Sequence, residues 1–110
     1  MERVFDFQEL QLETSLWAAK NFGFPKPYQP LLGTMEELGE LAHAHLKNEQ
    51  KIHKGEDYFA KKVDAIGDII IYLAHYCVLN GIDLQSAVYH TWKEVEKRDW
   101  LKFPVNGMTE

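Results

Sequence analysis

A chain of 110 residues that is 45% hydrophobic and 13% aromatic is long enough for one folded domain with a single core. Its formal net charge of −5 argues against general binding to nucleic acid or to an anionic membrane, because both need a basic surface. Cys77 is the single cysteine, which excludes an internal disulfide and fits a reducing cytoplasm. The N-terminal MERVFDF has no signal-peptide pattern, and the longest apolar run is too short to cross a bilayer.

A first helix is predicted from about Phe5 to Phe22, because apolar residues recur there every three to four positions. These apolar positions are Leu12, Leu16, Ala19 and Phe22. Three prolines within six residues then end the helix, and the loop that they form carries Phe24 and Tyr28. The two aromatic side chains either cover the end of a helical bundle or stack on a planar ligand such as a base.

The second helix, predicted from about Leu31 to Lys47, contains the acidic segment Glu36-Glu37-Leu38-Gly39-Glu40. Its three glutamates fall within an arc of roughly 100° on the helix. They lie beside an apolar stripe formed by Leu32, Met35, Leu38, Ala42 and Leu46. Like charges so close together repel one another, so this face is either fully solvated or bound to a divalent cation. Taken alone, the motif favours the solvated face.

The third helix, predicted from about Tyr58 to Asn80 with Asp57 as its N-cap, is apolar almost all round in its middle, as a central bundle helix would be. Its core stripe is predicted to be Phe59, Val63, Ile66, Ile70, Leu73 and Cys77. A second stripe is formed by Asp64, Asp68, Ile71 and His75. A buried carboxylate is costly unless it is paired, so Asp68 is expected either in a salt bridge or at a metal ion.

The fourth helix is predicted from about Leu84 to Trp100, after the turn Asn80-Gly81 and with Asp83 as its cap. Its far end is the only concentrated basic stretch, with Lys93, Lys97, Arg98 and Lys102. These cations either meet the negative end of the helix dipole or bind a ligand. Residues 105–110 are predicted to form a tail. Four helices without a convincing strand predict an all-α four-helix bundle in a single domain of residues 1–110, with its core over about 5–104.

Carboxylate pairs on two helices are hard oxygen ligands, which suit Mg²⁺ better than zinc, with Mn²⁺ as an alternative. Glu40-Leu41-Ala42-His43 also matches the Glu-x-x-His element of di-iron bundles, but no second copy of that element is present. The sequence therefore favours Mg²⁺, with Mn²⁺ possible in its place, over zinc or a di-iron centre.

The segments EELGEL, then DAIGDIIIYLAHY some 25 residues later, then GIDL and KRDWLKFP, resemble the MazG-like nucleotide pyrophosphohydrolases. The resemblance runs from about Trp17 to Pro104 and implies that family's all-α fold. It also implies a metal-dependent hydrolase that converts a nucleoside triphosphate to the monophosphate and pyrophosphate, as in house-cleaning of the nucleotide pool. The resemblance and the small core together indicate a homodimer or a homotetramer.

The same resemblance implies roles for individual residues. The metal ligands are expected to be Glu37, Glu40, Asp64 and Asp68. Asp64 takes part because the motif position three residues before Asp68 is Ala65, which cannot bind a metal. A water activated by the metal would attack the α-phosphorus, with Glu36 or Glu37 orienting or deprotonating it. Candidates for binding phosphate are Lys93, Lys97, Arg98 and Lys102, and candidates for stacking on the base are Trp17 and Tyr28.

Two other interpretations fit the same residues. Ala65 favours a catalytically impaired homologue that binds nucleotide or metal without turnover. A further hypothesis is that replacing Ala65 by glutamate raises the affinity for the metal. The other interpretation is a structural module for protein association, in which the acidic stripe is solvated and Asp68 is salt-bridged.

Overall fold

A computed structural model describes residues 5–51 and 55–108. These residues form four α-helices and no strand, which confirms the all-α prediction. Helix α1 spans Phe7–Phe22, α2 spans Tyr28–Gln50, α3 spans Tyr58–Leu79 and α4 spans Leu84–Val95.

Three helices begin at an aspartate whose side chain accepts a hydrogen bond from a backbone N–H of the first turn. Asp6 accepts from Glu9 at 2.8 Å, and the two predicted caps, Asp57 and Asp83, fill the same role for α3 and α4. Each carboxylate satisfies one of the N–H groups that a helix start leaves unpaired.

Helix α2 starts at Tyr28, inside the segment that the sequence predicted to be a loop. Pro30 does not prevent this, because a proline in the first helical turn removes an N–H that has no partner within the helix anyway. The Pro30 carbonyl accepts a hydrogen bond from the Thr34 hydroxyl at 2.9 Å. The early start places Tyr28 on the helix and not on a free loop.

Helices α2 and α3 form the main unit, an antiparallel hairpin in contact along most of its length. Gly33 near the start of α2 faces Tyr72 near the end of α3, and a Cβ at position 33 would lie 2.6 Å from the Tyr72 ring. Glycine is therefore required for this close approach. Helix α1 packs on α3, and α4 makes its contacts mainly with α1.

The apolar positions whose spacing predicted α1 do not form its packed face. Leu16 is 65% exposed, and Leu12, Ala19 and Phe22 are exposed as well. The face that packs on the rest of the chain instead carries Leu10, Gln11, Thr14 and Ala18. Two of these four residues are polar, so hydrophobic periodicity pointed to the other side of the helix.

Gln11 is the buried link between α1 and the turn that joins α3 to α4. Its Nε2 donates to the Ile82 carbonyl at 2.8 Å, and its Oε1 accepts from the Leu84 N–H at 2.9 Å. One side chain thus satisfies both backbone groups of that turn.

We expect Gln11→Ala to lower the free energy of unfolding by about 2 kcal/mol, since two hydrogen bonds are lost at about 1 kcal/mol each. Urea denaturation measures the change. Gln8→Ala is the control, because Gln8 is exposed and its hydrogen bond to Asp83 is long at 3.4 Å; its effect should stay within about 0.5 kcal/mol. Equal effects of the two substitutions would contradict the role given to Gln11.

The predicted core stripe of α3 is correct only in its second half. Cys77 is buried, and Ile70 and Leu73 are half-buried. Phe59 is 76% exposed, and Val63 and Ile66 are exposed too. The buried residues in the first half of α3 are instead Tyr58 and Ala65. They precede Tyr72 by fourteen and seven residues and so share the face of α3 that meets Gly33 of α2.

Helix α4 ends at Val95, five residues before the predicted end, and the chain then continues in turns to Met108. The Asp99 N–H donates to the Gly107 carbonyl at 2.7 Å, and the Gly107 N–H donates to the Phe103 carbonyl at 2.8 Å. Gly107 has a positive φ of 75°, and a Cβ at this position would lie only 2.9 Å from the Arg98 side chain and 3.0 Å from the Trp100 ring, so a glycine is required there. The predicted tail over 105–108 is therefore wrong, while 109–110 lie outside the described residues.

Across the described ranges, no single helix is long and apolar enough to span a membrane. The pair α3 and α4 passes that test only when taken together, and the two helices are bent by 106° to each other.

Candidate functional site

A cavity of about 1,100 Å³ lies between α1, the connection that follows it, α2 and α3. Its aromatic wall comes from α1, the connection and the first residue of α2, with Trp17, Phe22, Phe24 and Tyr28. The opposite wall comes from the α2–α3 hairpin and includes Glu37 and Asp68. The structure thus brings the two candidate stacking residues, Trp17 and Tyr28, to the same cavity as two of the predicted metal ligands.

Local contacts fix the aromatic wall. The Trp17 and Phe22 rings meet edge to face, with centroids 5.4 Å apart. Beyond Gly23, the Lys26 N–H donates to the Gln29 side chain at 2.9 Å, and the Gln29 N–H donates back to the Lys26 carbonyl. This reciprocal pair holds the connection in a turn as it enters α2.

Glu37 is the centre of the acidic wall. Its Oε2 is shielded from solvent and has no hydrogen-bond partner among the described residues. The pKa of Glu37 is raised, first by desolvation and then by the negative charges of Glu40 and Asp68. A hydrogen bond with the Glu40 carboxyl and the charge of Asp64 raise this pKa further. The four predicted metal ligands therefore share one electrostatic environment.

The two aspartates of α3 differ from Ala65 in their exposure. Asp68 is half-buried and Asp64 is exposed, whereas Ala65 is only 3% exposed. A step of about 100° per residue explains the contrast, because it turns position 65 away from position 64 and into the helix contact. Ala65 is thus a packing position of the α2–α3 hairpin.

Asp68 forms no ion pair within the part of the chain that the structure describes, which speaks against the salt-bridge interpretation. Its cavity neighbours on α3 are Ile71, Tyr72 and His75. Three members of the predicted second stripe, Asp68, Ile71 and His75, therefore do share one surface. Burial lowers the pKa of His75, so its imidazole is neutral at pH 7 and offers one donor and one acceptor.

The carboxylates of the cavity and their acidic neighbours are the residues that could bind a divalent cation. Among residues 5–51 and 55–108, no three acidic, histidine or cysteine side chains already converge on one point. The donor set nevertheless suits Mg²⁺, because it consists of carboxylates and one of them has a shielded, unpartnered oxygen. A cation would offset the charge repulsion that raises the pKa of Glu37.

Glu36, the other candidate base, is exposed and does not line the cavity. It lies one residue before Glu37 and hence about 100° away around the helix. Between the two glutamates, the structure favours Glu37 as the one that faces a bound ligand.

The predicted phosphate-binding cations do not line this cavity. Lys93 is ion-paired with Glu96 at 3.2 Å, and Lys97 with Glu94 at 3.5 Å. The ammonium group of Lys102 lies over its neighbour Phe103, and Arg98 lies beside Gly107. All four belong to α4 and the turns that follow it, and α4 packs mainly on α1.

Lys26 is the cation that the cavity does contain, and sequence reasoning missed it. The available signal was its place in the proline-rich segment between Phe24 and Tyr28. Since Glu13, Glu37 and Asp68 line the same space, the cavity is acidic despite Lys26. A phosphate group would be repelled there unless a metal ion accompanied it.

No protein-family model matches the chain, and no curated protein matches it. A functional assignment therefore depends on the cavity and its residues.

Proposed function

We propose that the protein is a metal-dependent nucleoside triphosphate pyrophosphohydrolase, which releases pyrophosphate and a nucleoside monophosphate. The observation that carries this proposal is a single cavity with an aromatic wall and a carboxylate wall. Its volume of about 1,100 Å³ is sufficient for a drug-sized or nucleotide-sized ligand. The resemblance to MazG-like enzymes supports the same assignment.

Mg²⁺, or Mn²⁺ in its place, is proposed to bind through Glu37 and Asp68, which line the cavity, together with their exposed neighbours Glu40 and Asp64. The ion supplies charge neutralisation of the phosphates and acidifies a bound water. Glu37 is proposed to orient or deprotonate the attacking water, because Glu37 lines the cavity and Glu36 does not.

The aromatic wall is proposed to bind the base and sugar. Trp17 and Tyr28 offer flat surfaces to a purine or pyrimidine, and the neutral His75 can hydrogen-bond to its edge. Lys26 can reach phosphate oxygens from the same side. Lys93, Lys97, Arg98 and Lys102 would contribute only if another chain placed them at the cavity.

Pyrophosphate release from a panel of ribo- and deoxyribonucleoside triphosphates tests the proposal, with Mg²⁺, Mn²⁺ or EDTA present. We expect release with at least one nucleotide, and its loss in EDTA. Measurable nucleotide binding without any release would instead support the catalytically impaired homologue, the alternative that rests on an alanine at the motif position 65.

Thermal melting distinguishes the active enzyme and the catalytically impaired homologue from a purely structural module. A ligand that binds only the folded state raises the melting temperature. We expect millimolar Mg²⁺ or Mn²⁺ to raise it, whereas an unchanged melting temperature would support a solvated acidic face without a metal.

Trp17→Ala is expected to raise KM about tenfold and to leave kcat within about a factor of two, because base stacking contributes about 1–3 kcal/mol. Steady-state pyrophosphate assays measure both constants. Trp100→Ala is the control, since Trp100 lies in the turns after α4 and does not line the cavity. An unchanged KM in Trp17→Ala would remove Trp17 from the base site.

A further inference from the structure

A second cavity, of about 510 Å³, lies between the start of α1, α3 and α4. Four aromatic side chains line it, with Phe5 and Phe7 at the start of α1 and Tyr89 and Trp92 on α4. Leu10 lines both this cavity and the acidic one, but the acids of the proposed metal site do not line this one. Its volume lies within the range of small-molecule sites, so it is a candidate for a second ligand.

The aromatic side chains of this cavity are open to a ligand. Phe5 is 66% exposed, Tyr89 is 55% exposed and Trp92 is 56% exposed, although side chains of this size are usually covered in a folded domain. A ligand in the cavity would therefore cover ring surface that the described chain leaves in contact with solvent.

The charge of this cavity is negative. Asp6 carries the one formal charge among the described residues that line it, and no described lysine, arginine or histidine does so. Its Oδ1 caps α1 by accepting the Glu9 N–H, while its Oδ2 takes part in no hydrogen bond between described residues. Since the whole chain also has a formal net charge of −5, a cation is favoured here over an anion.

Aromatic rings favour a cation for a second reason, because the face of a π system carries partial negative charge. One such contact is present beside the cavity, where the Lys93 Nζ lies 5.4 Å from the centre of the Tyr89 ring. Lys93 is also paired with Glu96 at 3.2 Å, which offsets its own positive charge. The Tyr89 ring thus lies where a positive charge is stabilised.

The lining distinguishes between kinds of organic cation. A primary ammonium has three N–H donors that need acceptors, and apart from Asp6 and Gln85 the lining is almost entirely apolar or aromatic. A trimethylammonium group has no N–H donor and spreads its charge over its methyl groups. It can therefore lie against ring faces without leaving a hydrogen-bond donor unsatisfied.

We propose that the cavity between α1, α3 and α4 binds a small molecule that carries a trimethylammonium group. Phe5, Phe7, Tyr89 and Trp92 would contact its methyl groups, and Asp6 would supply the opposite charge. The proposal does not depend on the proposed function, because binding here involves none of the carboxylates of the acidic wall.

Titration of the ¹⁵N-labelled protein with choline, followed by NMR, is the first test. The indole N–H signals of the three tryptophans report on different places, because Trp92 lines this cavity, Trp17 lines the acidic cavity and Trp100 lines neither. We expect the Trp92 signal to shift saturably and the Trp100 signal to stay unchanged. Shifts confined to Trp17 would overturn the proposal, and so would the absence of any shift.

The matched control ligand is 3,3-dimethyl-1-butanol, which has the shape of choline with a carbon atom in place of the charged nitrogen. We expect choline to bind with a dissociation constant lower by a factor of about ten or more, because only choline gains from the ring faces and from Asp6. Equal affinities would show a neutral apolar pocket and would overturn the proposal.

Trp92→Leu keeps an apolar side chain and removes the ring, so it should raise the dissociation constant for choline about tenfold. Trp92→Phe should restore most of the affinity, and Trp100→Leu, outside the cavity, should leave it unchanged. Tyr89→Leu tests the same point if Trp92→Leu fails to fold. Unchanged choline binding after removal of either ring would overturn the assignment to this cavity.

Asp6→Asn tests the charge separately from the fold, because asparagine caps a helix about as well as aspartate. We expect it to raise the dissociation constant for choline about two- to fivefold, as for the loss of an exposed ion pair. Asp57→Asn makes the same change at the cap of α3, which does not line the cavity, and should have no effect. Equal affinities of the two variants would contradict the role given to Asp6.

Discussion

Asp68→Asn is expected to lower kcat/KM for pyrophosphate release by a factor of about 100 or more. Asp68 is the half-buried carboxylate of α3 that lines the cavity, and its charge contributes to the raised pKa of Glu37. Asparagine keeps the shape of the side chain and removes the charge that a divalent cation needs. Since even outer-shell changes at metal sites reduce activity 10–100-fold, loss of a direct ligand should cost more.

The same substitution should affect metal binding separately from activity. We expect Asp68→Asn to weaken or abolish the rise in melting temperature that Mg²⁺ produces, while the metal-free protein remains folded. Glu94→Gln is the control, because Glu94 is an exposed carboxylate on α4, paired with Lys97, outside the cavity. Full activity in Asp68→Asn would exclude Asp68 as a ligand and with it the proposed site.

Ala65→Glu is expected to lower the free energy of unfolding by about 3 kcal/mol or more, because it inserts a long charged side chain into a packed contact. Ala65 is almost completely buried. A glutamate there would either push α2 and α3 apart or bury its charge beside the existing acidic cluster. Introducing the glutamate that the family motif has at this position is therefore expected to destabilise the α2–α3 hairpin and not to raise the affinity for the metal.

Chemical denaturation and Mg²⁺ titration of the same samples check this expectation. Ala60→Glu is the matched control, since it makes the same change at an exposed position of α3, and its effect should stay within about 0.5 kcal/mol. If Ala65→Glu instead kept its stability and bound Mg²⁺ more tightly, position 65 would be a ligand position that this chain has lost.

The sequence was sufficient for the elements that depend on local chemistry. Asp57 and Asp83 cap their helices as predicted, because capping involves only a side chain and the next few N–H groups. The proximity of Glu37 and Asp68 on two helices was expected from the family resemblance, which assigned both acids to one site, and the charge of Asp68 does act on Glu37.

The sequence was insufficient where a choice between two faces of a helix was needed. Periodicity shows that Leu12 and Leu16 share a face, but it does not show whether that face meets this chain, another chain or solvent. The buried face of α1 includes the polar residues Gln11 and Thr14. The role of Gln11 depends on the folded position of the turn at Ile82, whose carbonyl accepts its hydrogen bond. Lys26 was missed for the same reason, because its position at the cavity depends on how the connection folds.

The link through Gln11 has a consequence for how the cavity responds to a ligand. It fastens the beginning of α1 to the turn between α3 and α4, whereas the other end of α1 leads into Gly23, whose φ of 76° marks a sharp change of direction. Helix α1 is also held near Trp17, because the neighbouring Ala18 is only 2% exposed. Bases of different size would therefore be accommodated at the connection, where Phe24 is 90% exposed, and not by movement of α1.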